Sequence, residues 1–402
     1  MQVEDGISRR AFVRLGAASV VALGSGGVMG GCGDEGSPVG PDTDPEAPIN
    51  ATVAAIRGND LDAMTRDAID AIGGMASVVN PGETVFIKPN FVSFNLAEQR
   101  DCFHNGECTK PEILIAVAEE CLRAGVGEVI IGDGSQKITY DWQYSYTLDG
   151  RTNLVEEAAR LSVEYAGNVS LSCLEADYPG TYQIPSQTAH GHLFVSSVYS
   201  KIDRIISVPV AKTHTASQLT LALKNFIGVL SIAEYGVLIN NSYWDRGAGI
   251  DHSNPQILAQ AFLDVVAAHK PDLAIVDFSI GVEGDGPTVG GSYGRTVNVR
   301  DRLGSWLMLA SKDIMAADAT AARVMSHSVP EVAQLTRGYA MGLGEINEES
   351  IELLGESLSD IRMPWRKARP MFPTGMQASS SPIVEQFRCI TQCGVPAPGR
   401  HT

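Results

Sequence analysis

Continuous apolar runs alternating with amphipathic helical stretches constrain the fold of this chain more than any other feature. "TVFIK", "EVIIGD", "RIISVPVAK", "DLAIVD" and "WLMLASKD" read as strands. "DLDAMTRDAIDAIGGM", "KPEILIAVAEECLRAG", "NLVEEAARLSVEYAG", "PQILAQAFLDVVAAHK" and "IMAADATAARVM" read as helices between them. The strand runs stay apolar residue after residue, the pattern of strands covered on both faces. The expected fold is α/β, a mostly parallel sheet with helices on both faces. Punctuation agrees: Asn59 or Asp60 caps the first helix and Gly73 and Gly74 end it. Pro111 opens the second helix, Gly125 closes it, and Asn254 caps the fourth.

The start of the chain reads as an address. Arg9 and Arg10 in "SRRAFVR" precede a weakly apolar, glycine-rich stretch that ends at "GGC". Residues 1–32 therefore read as a twin-arginine export signal with a lipoprotein-type cleavage site, Cys32 being the acylation position. Met29 stands where such sites usually carry leucine. The stretch falls short of the roughly 20 apolar residues that a spanning helix requires. An acylated Cys32 anchors without spanning. Residues 33–50, rich in Pro, Gly and acid, read as a flexible linker reaching about 25 Å. Residues 51–360 form the expected α/β domain and 361–402 an irregular C-terminal wrap. The expected location is outside the cytoplasmic membrane, periplasmic or on its outer side. The translocase and, through the lipid, the membrane are the expected partners.

Charge excludes one class of partner. Cleavage before Cys32 removes three basic and two acidic residues from a total of 30 and 47, leaving a net charge of −18. Such a surface repels nucleic acid. Six cysteines remain beside Cys32. Cys102 with Cys108, and Cys389 with Cys393, are spaced to close small disulfides in an oxidising compartment. Cys102, His104 and Cys108 form an alternative but weaker metal set. Cys121 and Cys173 read as buried thiols.

Five strands end on a charged residue: Lys88, Asp133, Lys212, Asp277 and Asp313. Ligands of open parallel sheets bind at those carboxyl ends. Pro89 fixes the backbone of Lys88 as extended, and Asn90 follows it. Ser135 lies in the turn after Asp133, while Glu283 and Asp285 lie in the glycine-rich loop after Asp277. "VPVAKTHTASQLTLALKNFIGVL" (Val208 to Leu230) places Lys212, His214, Lys224 and Asn225 in an otherwise apolar run. Read as a helix from Ser217 to Gly228, it puts Lys224 on a face of small residues, suited to an anion held against it. Asp318 sits on another small-residue face, within "AADATAA".

"FIKPN", "IIGDGS", "VAKTH", "LALKNFIG", "LAIVDFSIGVEGDGPTVGG" and "LASKDIMAADATAARVM", in that order, resemble the family called domain of unknown function 362. So does the later "GLGEINEESIELLGES". The resemblance runs from about Thr84 to Gly355 and implies an α/β domain, joined in some relatives to an iron–sulfur ferredoxin-like module. This chain lacks the CxxCxxCxxxCP run, and Cys389 with Cys393 are too few for a four-iron cluster. No iron–sulfur cofactor is expected, and the family brings no established reaction.

The leading expectation is an exported protein that binds a small phosphate or carboxylate compound, with enzyme activity left open. His214, Lys212 and Lys224 are the candidate catalytic groups. Lys88, Asn90, Asp133, Ser135 and Asn225 are the candidate ligand contacts. Asp277, Glu283, Asp313 and Asp318 are the oxygen ligands expected for Mg²⁺ or another divalent cation. The competing expectations are a non-catalytic ligand-binding lipoprotein and an accessory to an exported iron–sulfur redox system.

Overall fold

The computed structural model describes residues 49–92, 94, 101–239, 243–289 and 293–369, which belong to one compact unit. Eleven strands among them form one sheet. They are β1 (Ala51–Gly58), β2 (Thr84–Pro89), β3 (Glu128–Asp133), β4 (Asn168–Cys173), β5 (Arg204–Val208) and β6 (Val210–His214). After these come β7 (Gln218–Thr220), β8 (Leu273–Glu283), β9 (Arg295–Asn298), β10 (Trp306–Ser311) and β11 (Ile351–Gly355). The order is β11-β1-β10-β8-β5-β2-β3-β4. From β8 through β4 the neighbours pair in parallel, as do β1 and β11, whereas β10 is antiparallel to both β1 and β8. The fold is therefore α/β on a mostly parallel sheet.

The strands are apolar on both sides because both sides are covered. Phe86, Ile130, Ile205, Val276 and Leu309 pack into one core. Their sequence neighbours Val85, Ile87, Val129, Ile131, Ile206, Ile275 and Met308 pack into the other, as the two-residue period of a strand requires. The first core is closed by α4 (Pro255–Ala268), α5 (Ile314–Val324) and α6 (Ala333–Ala340). The second is closed by α1 (Leu61–Ala71), α2 (Pro111–Arg123) and α3 (Leu154–Glu164). Each fully buried aliphatic or Phe side chain contributes about 1.5–3 kcal/mol. Helix ends follow the sequence signals. Asp60 accepts from the N–H of Ala63, Asn254 accepts from Gln256, and Asp313 accepts from Met315 and Ala316.

The carboxyl ends depart from a plain parallel sheet. β8 runs on past β5 and pairs there with β6, across an irregularity between Asp277 and Val282. β6 then folds back antiparallel onto β7. Ser217–Gly228 is accordingly not the expected α-helix. Gln218–Thr220 is strand, and Lys224–Val229 is a 3₁₀ helix. Two tertiary demands override the helical spacing. Lys212, Thr213 and His214 pair with Thr220, Leu219 and Gln218. The carboxylate of Asp318 takes the N–H groups of Ala222 and Leu223, at 2.8 and 2.9 Å.

Beyond the short helix Leu358–Ile361, the chain crosses the same end of the sheet as a strap. Met363 N–H donates to Val324 O, Trp365 N–H to Met325 O, and Gly284 N–H to Arg366 O. The export signal with Cys32, most of the linker, and Cys389 with Cys393 lie outside the described residues.

Candidate functional site

At the ends of β2, β3 and β6, polar groups form one buried network. Lys88 is fully buried, with Nζ 2.6 Å from Asp133 Oδ1. Its ammonium also donates to Pro89 O at 2.8 Å and Asn225 Oδ1 at 3.2 Å. Asp133 Oδ2 accepts the N–H of Phe91 at 2.7 Å, and Ser135 Oγ donates to Phe91 O at 2.8 Å. Asn225 Nδ2 donates to Lys88 O at 2.8 Å. Lys212 Nζ donates to Asn90 Oδ1 and, at 2.5 Å, to Glu107 O. Gly228 makes room for this packing: a Cβ there would overlap Asp133 Oδ1 and lie 3.1 Å from Lys88 Nζ. Lys88, Asn90, Asp133, Ser135, Lys212 and Asn225 thus do converge, although their polar atoms are largely spent on one another. They form a closed internal network and not an open ligand-binding face. A second buried pair, Lys110 with Asp277 at 3.1 Å, stands beside them.

Lys224 differs from these lysines. It is buried, and its ammonium has no hydrogen bond or ion pair with a described residue. Burial lowers its pKa to about 7, with help from the charges of Lys212 and Arg246 and against the opposing charge of Asp245. Lys212 is lowered by burial to about 8. Asp318 does not neutralise either lysine. Burial raises its own pKa to about 7, its two backbone N–H donors opposing that rise. It fixes the chain immediately before Lys224.

A cleft of about 540 Å³ opens beside the β6–β7 turn, walled by His214, Gln218, His252, His327, Glu331 and Lys367 among others. Hydrogen bonds fix the tautomers of two of these histidines. His214 Nδ1 accepts the N–H groups of Ala216 and Ser217 at 3.0 and 3.4 Å, so its proton is on Nε2. His252 Nδ1 lies 2.6 Å from Ile250 O. A carbonyl only accepts, so His252 carries its proton on Nδ1 and leaves Nε2 as a bare lone pair. Burial followed by the charge of Lys224 lowers the pKa of both rings, so both are neutral. His327 is likewise lowered by burial, to about 4, and its buried Nε2 has no hydrogen-bond partner among the described residues. The cleft therefore offers an N–H donor, a lone-pair acceptor and an adjoining amine that titrates near neutrality.

Several expectations require correction. Asp277, Glu283, Asp313 and Asp318 do not share a cation. Asp277 accepts from Ser279 and pairs with Lys110. Glu283 is held by Arg295 and Arg302. Asp313 caps α5, and Asp318 takes the two N–H groups described above. Each carboxylate is consumed by donors of its own neighbourhood. Among the described residues no three His, Cys, Asp or Glu side chains stand close enough to hold a metal ion. Cys102 and Cys108 are not bridged; they are buried thiols in contact, and the hydrogen bond between them raises the pKa of Cys102. His214 cannot act as a base through Nδ1, because that nitrogen already accepts two backbone N–H groups. His252, His327 and Lys110 escaped the sequence reading. The available signals were His252 two residues before the Asn254 cap and Lys110 directly before Pro111.

Residues 85–323 match the family described as Domain of unknown function (DUF362). A thylakoid-associated protein of Synechocystis sp. is 24% identical over 281 residues, covering 70% of this chain and 75% of that protein. Among solved structures, the lactate racemase apoprotein from Thermoanaerobacterium thermosaccharolyticum aligns with a TM-score of 0.32 at 10% identity. That alignment covers 58% of this chain and 52% of that one, and likeness at that level says nothing about chemistry.

Proposed function

This chain belongs to the domain of unknown function 362 family, and we propose that in it the cleft at the carboxyl ends of the sheet binds a small organic anion. One observation carries this reading: Lys224 is a buried amine near His214 and His252 that makes no ion pair with a described residue, the more distant charge of Asp245 failing to offset its burial. Burying a cation without a partner is costly, and an anionic ligand removes that cost by restoring the proton and pairing with it. Lys212 and Arg246 add to the positive field at Lys224, while Lys367 contributes a cation to the cleft wall. The field suits a carboxylate or a phosphate. It does not call for a divalent cation, because the carboxylates that would hold one are already occupied.

The test is a thermal-shift screen of purified full-length protein against phosphorylated and carboxylated metabolites, repeated with Lys224→Met. Stabilisation by one chemical class in the wild type, lost in the variant, is the expected result. Equal stabilisation of both proteins would refute the role of Lys224.

Export through the twin-arginine translocase and acylation of Cys32 complete the proposal. A thylakoid-associated relative fits a protein held at a membrane surface. Among the described residues no helix is long and apolar enough to cross a membrane. Radiolabelled fatty acid incorporated by the wild type and not by Cys32→Ser is the expected outcome, and labelling of both would disprove it.

A further inference from the structure

The two histidines with fixed tautomers present opposite chemistry to one cleft. His214 offers Nε2–H, its other nitrogen being held by Ala216 and Ser217. His252 offers an unprotonated Nε2, its Nδ1–H being spent on Ile250 O. Both wall the same cavity, and both feel the charge of Lys224. A neutral donor and a neutral acceptor lining one cavity are the groups needed to move a proton on a bound molecule while steadying the charge left behind.

We propose that His252 and His214 form a proton-transfer pair acting on an anionic carbonyl compound, an inference that rests on the anion-binding reading above. The C–H bond next to the carbonyl breaks and its proton passes to Nε2 of His252. The electron pair of that bond becomes the C=C bond of an enolate, and the carbonyl π pair moves onto oxygen. That oxygen accepts the hydrogen bond from Nε2–H of His214. A neutral imidazole suits this task better than an imidazolium, which would surrender its proton to the enolate. His252 then returns the proton to carbon or to oxygen, so the cycle consumes no oxidant, reductant or second substrate. Lys224, on its protonated side, attracts the anion. Asp245 and Asp251, the acids whose charges reach His252, favour its protonated form as it accepts the proton.

The test uses the full chain in two arms. The first is nitrogen-15 histidine spectroscopy, which reads each tautomer without any ligand. Nε2–H on His214 and Nδ1–H on His252 are expected, and Nε2–H on His252 overturns the proposal outright. The second follows deuterium entering the carbon next to the carbonyl of pyruvate and of dihydroxyacetone phosphate in D₂O, with binding of each probe measured separately by thermal shift. Exchange above the buffer rate is expected for a probe that binds. His252→Gln should slow it at least ~100-fold, in the range of general-base catalysis, while leaving the thermal shift in place. Binding without exchange, or exchange undiminished in His252→Gln, overturns the proton-transfer pair and leaves the anion site standing. Failure of both probes to bind overturns this inference, whereas the anion-binding reading falls only if the wider screen of phosphorylated and carboxylated metabolites finds no stabilising ligand.

Discussion

Replacing Lys224 with methionine isolates the cost of its burial. The ordinary lysine value of 10.5 falls to about 7. At about 1.4 kcal/mol per tenfold, that difference amounts to roughly 5 kcal/mol against the charged form in the folded protein. The sign follows from proton counts. Between about pH 7 and 10.5 the unfolded chain holds the Lys224 proton and the folded chain does not, so stability rises with pH across that window. Below about pH 7 both states hold it and the full cost is present. Methionine preserves the stem and removes the charge, so Lys224→Met should stabilise the unliganded protein near pH 6.5. Replacing a buried ion pair with apolar side chains of similar volume often gains ~1–4 kcal/mol, and about 2 kcal/mol is expected for removing this one buried charge. The assay is urea unfolding of both proteins at several pH values from 6 to 10. The gain should shrink as pH rises, by up to ~1.4 kcal/mol per pH unit. A variant less stable than the wild type at pH 6.5, with an unchanged pH slope, would refute the claim that the burial of the Lys224 charge goes uncompensated.

Anion binding at pH 8 should draw protons from solvent onto Lys224, because a paired ammonium regains a higher pKa. Calorimetry in buffers of different ionisation enthalpy would measure the uptake, and none at all would contradict the pairing. Asp318→Asn replaces one acceptor of the Ala222 and Leu223 N–H groups by an amide donor. A loss of about 1–3 kcal/mol is expected in urea unfolding, along with weaker binding of any ligand that Lys224 holds. Gly228→Ala places a methyl against Asp133 and Lys88. It should destabilise by more than ~3 kcal/mol, whereas Gly150→Ala, with open space around it but positive φ, should cost only about 1 kcal/mol; similar losses in the two would refute the packing argument.

The sheet was legible in the sequence because two-sided burial leaves strands no polar positions. β1, "ATVAAIRG", escaped because alanines carry little strand signal. The charged strand ends also pointed the right way: Lys88, Asp133 and Lys212 do meet. What the sequence could not give was how much of their hydrogen-bonding capacity is used internally, since Asn90, Asn225 and Glu107 reach them from distant segments. The helical spacing of Ser217 to Gly228 misled for a physical reason. Small residues recur there because Gly228 packs against the Lys88–Asp133 pair and because the backbone of Ala222 and Leu223 docks on Asp318, demands that mimic a helix face. His252 and His327 were hidden because the cleft joins segments about 75 residues apart in sequence through tertiary packing alone.

The Lys88 network joins residues 137 positions apart, which bears on how the molecule can come into being. A chain that had assembled β2 and β3 without Asn225 in place would hold the Lys88 ammonium on Asp133 and Pro89 O alone, one acceptor short. The network is therefore complete only when segments far apart in the chain have come together, which ties the integrity of this end of the sheet to the tertiary fold as a whole.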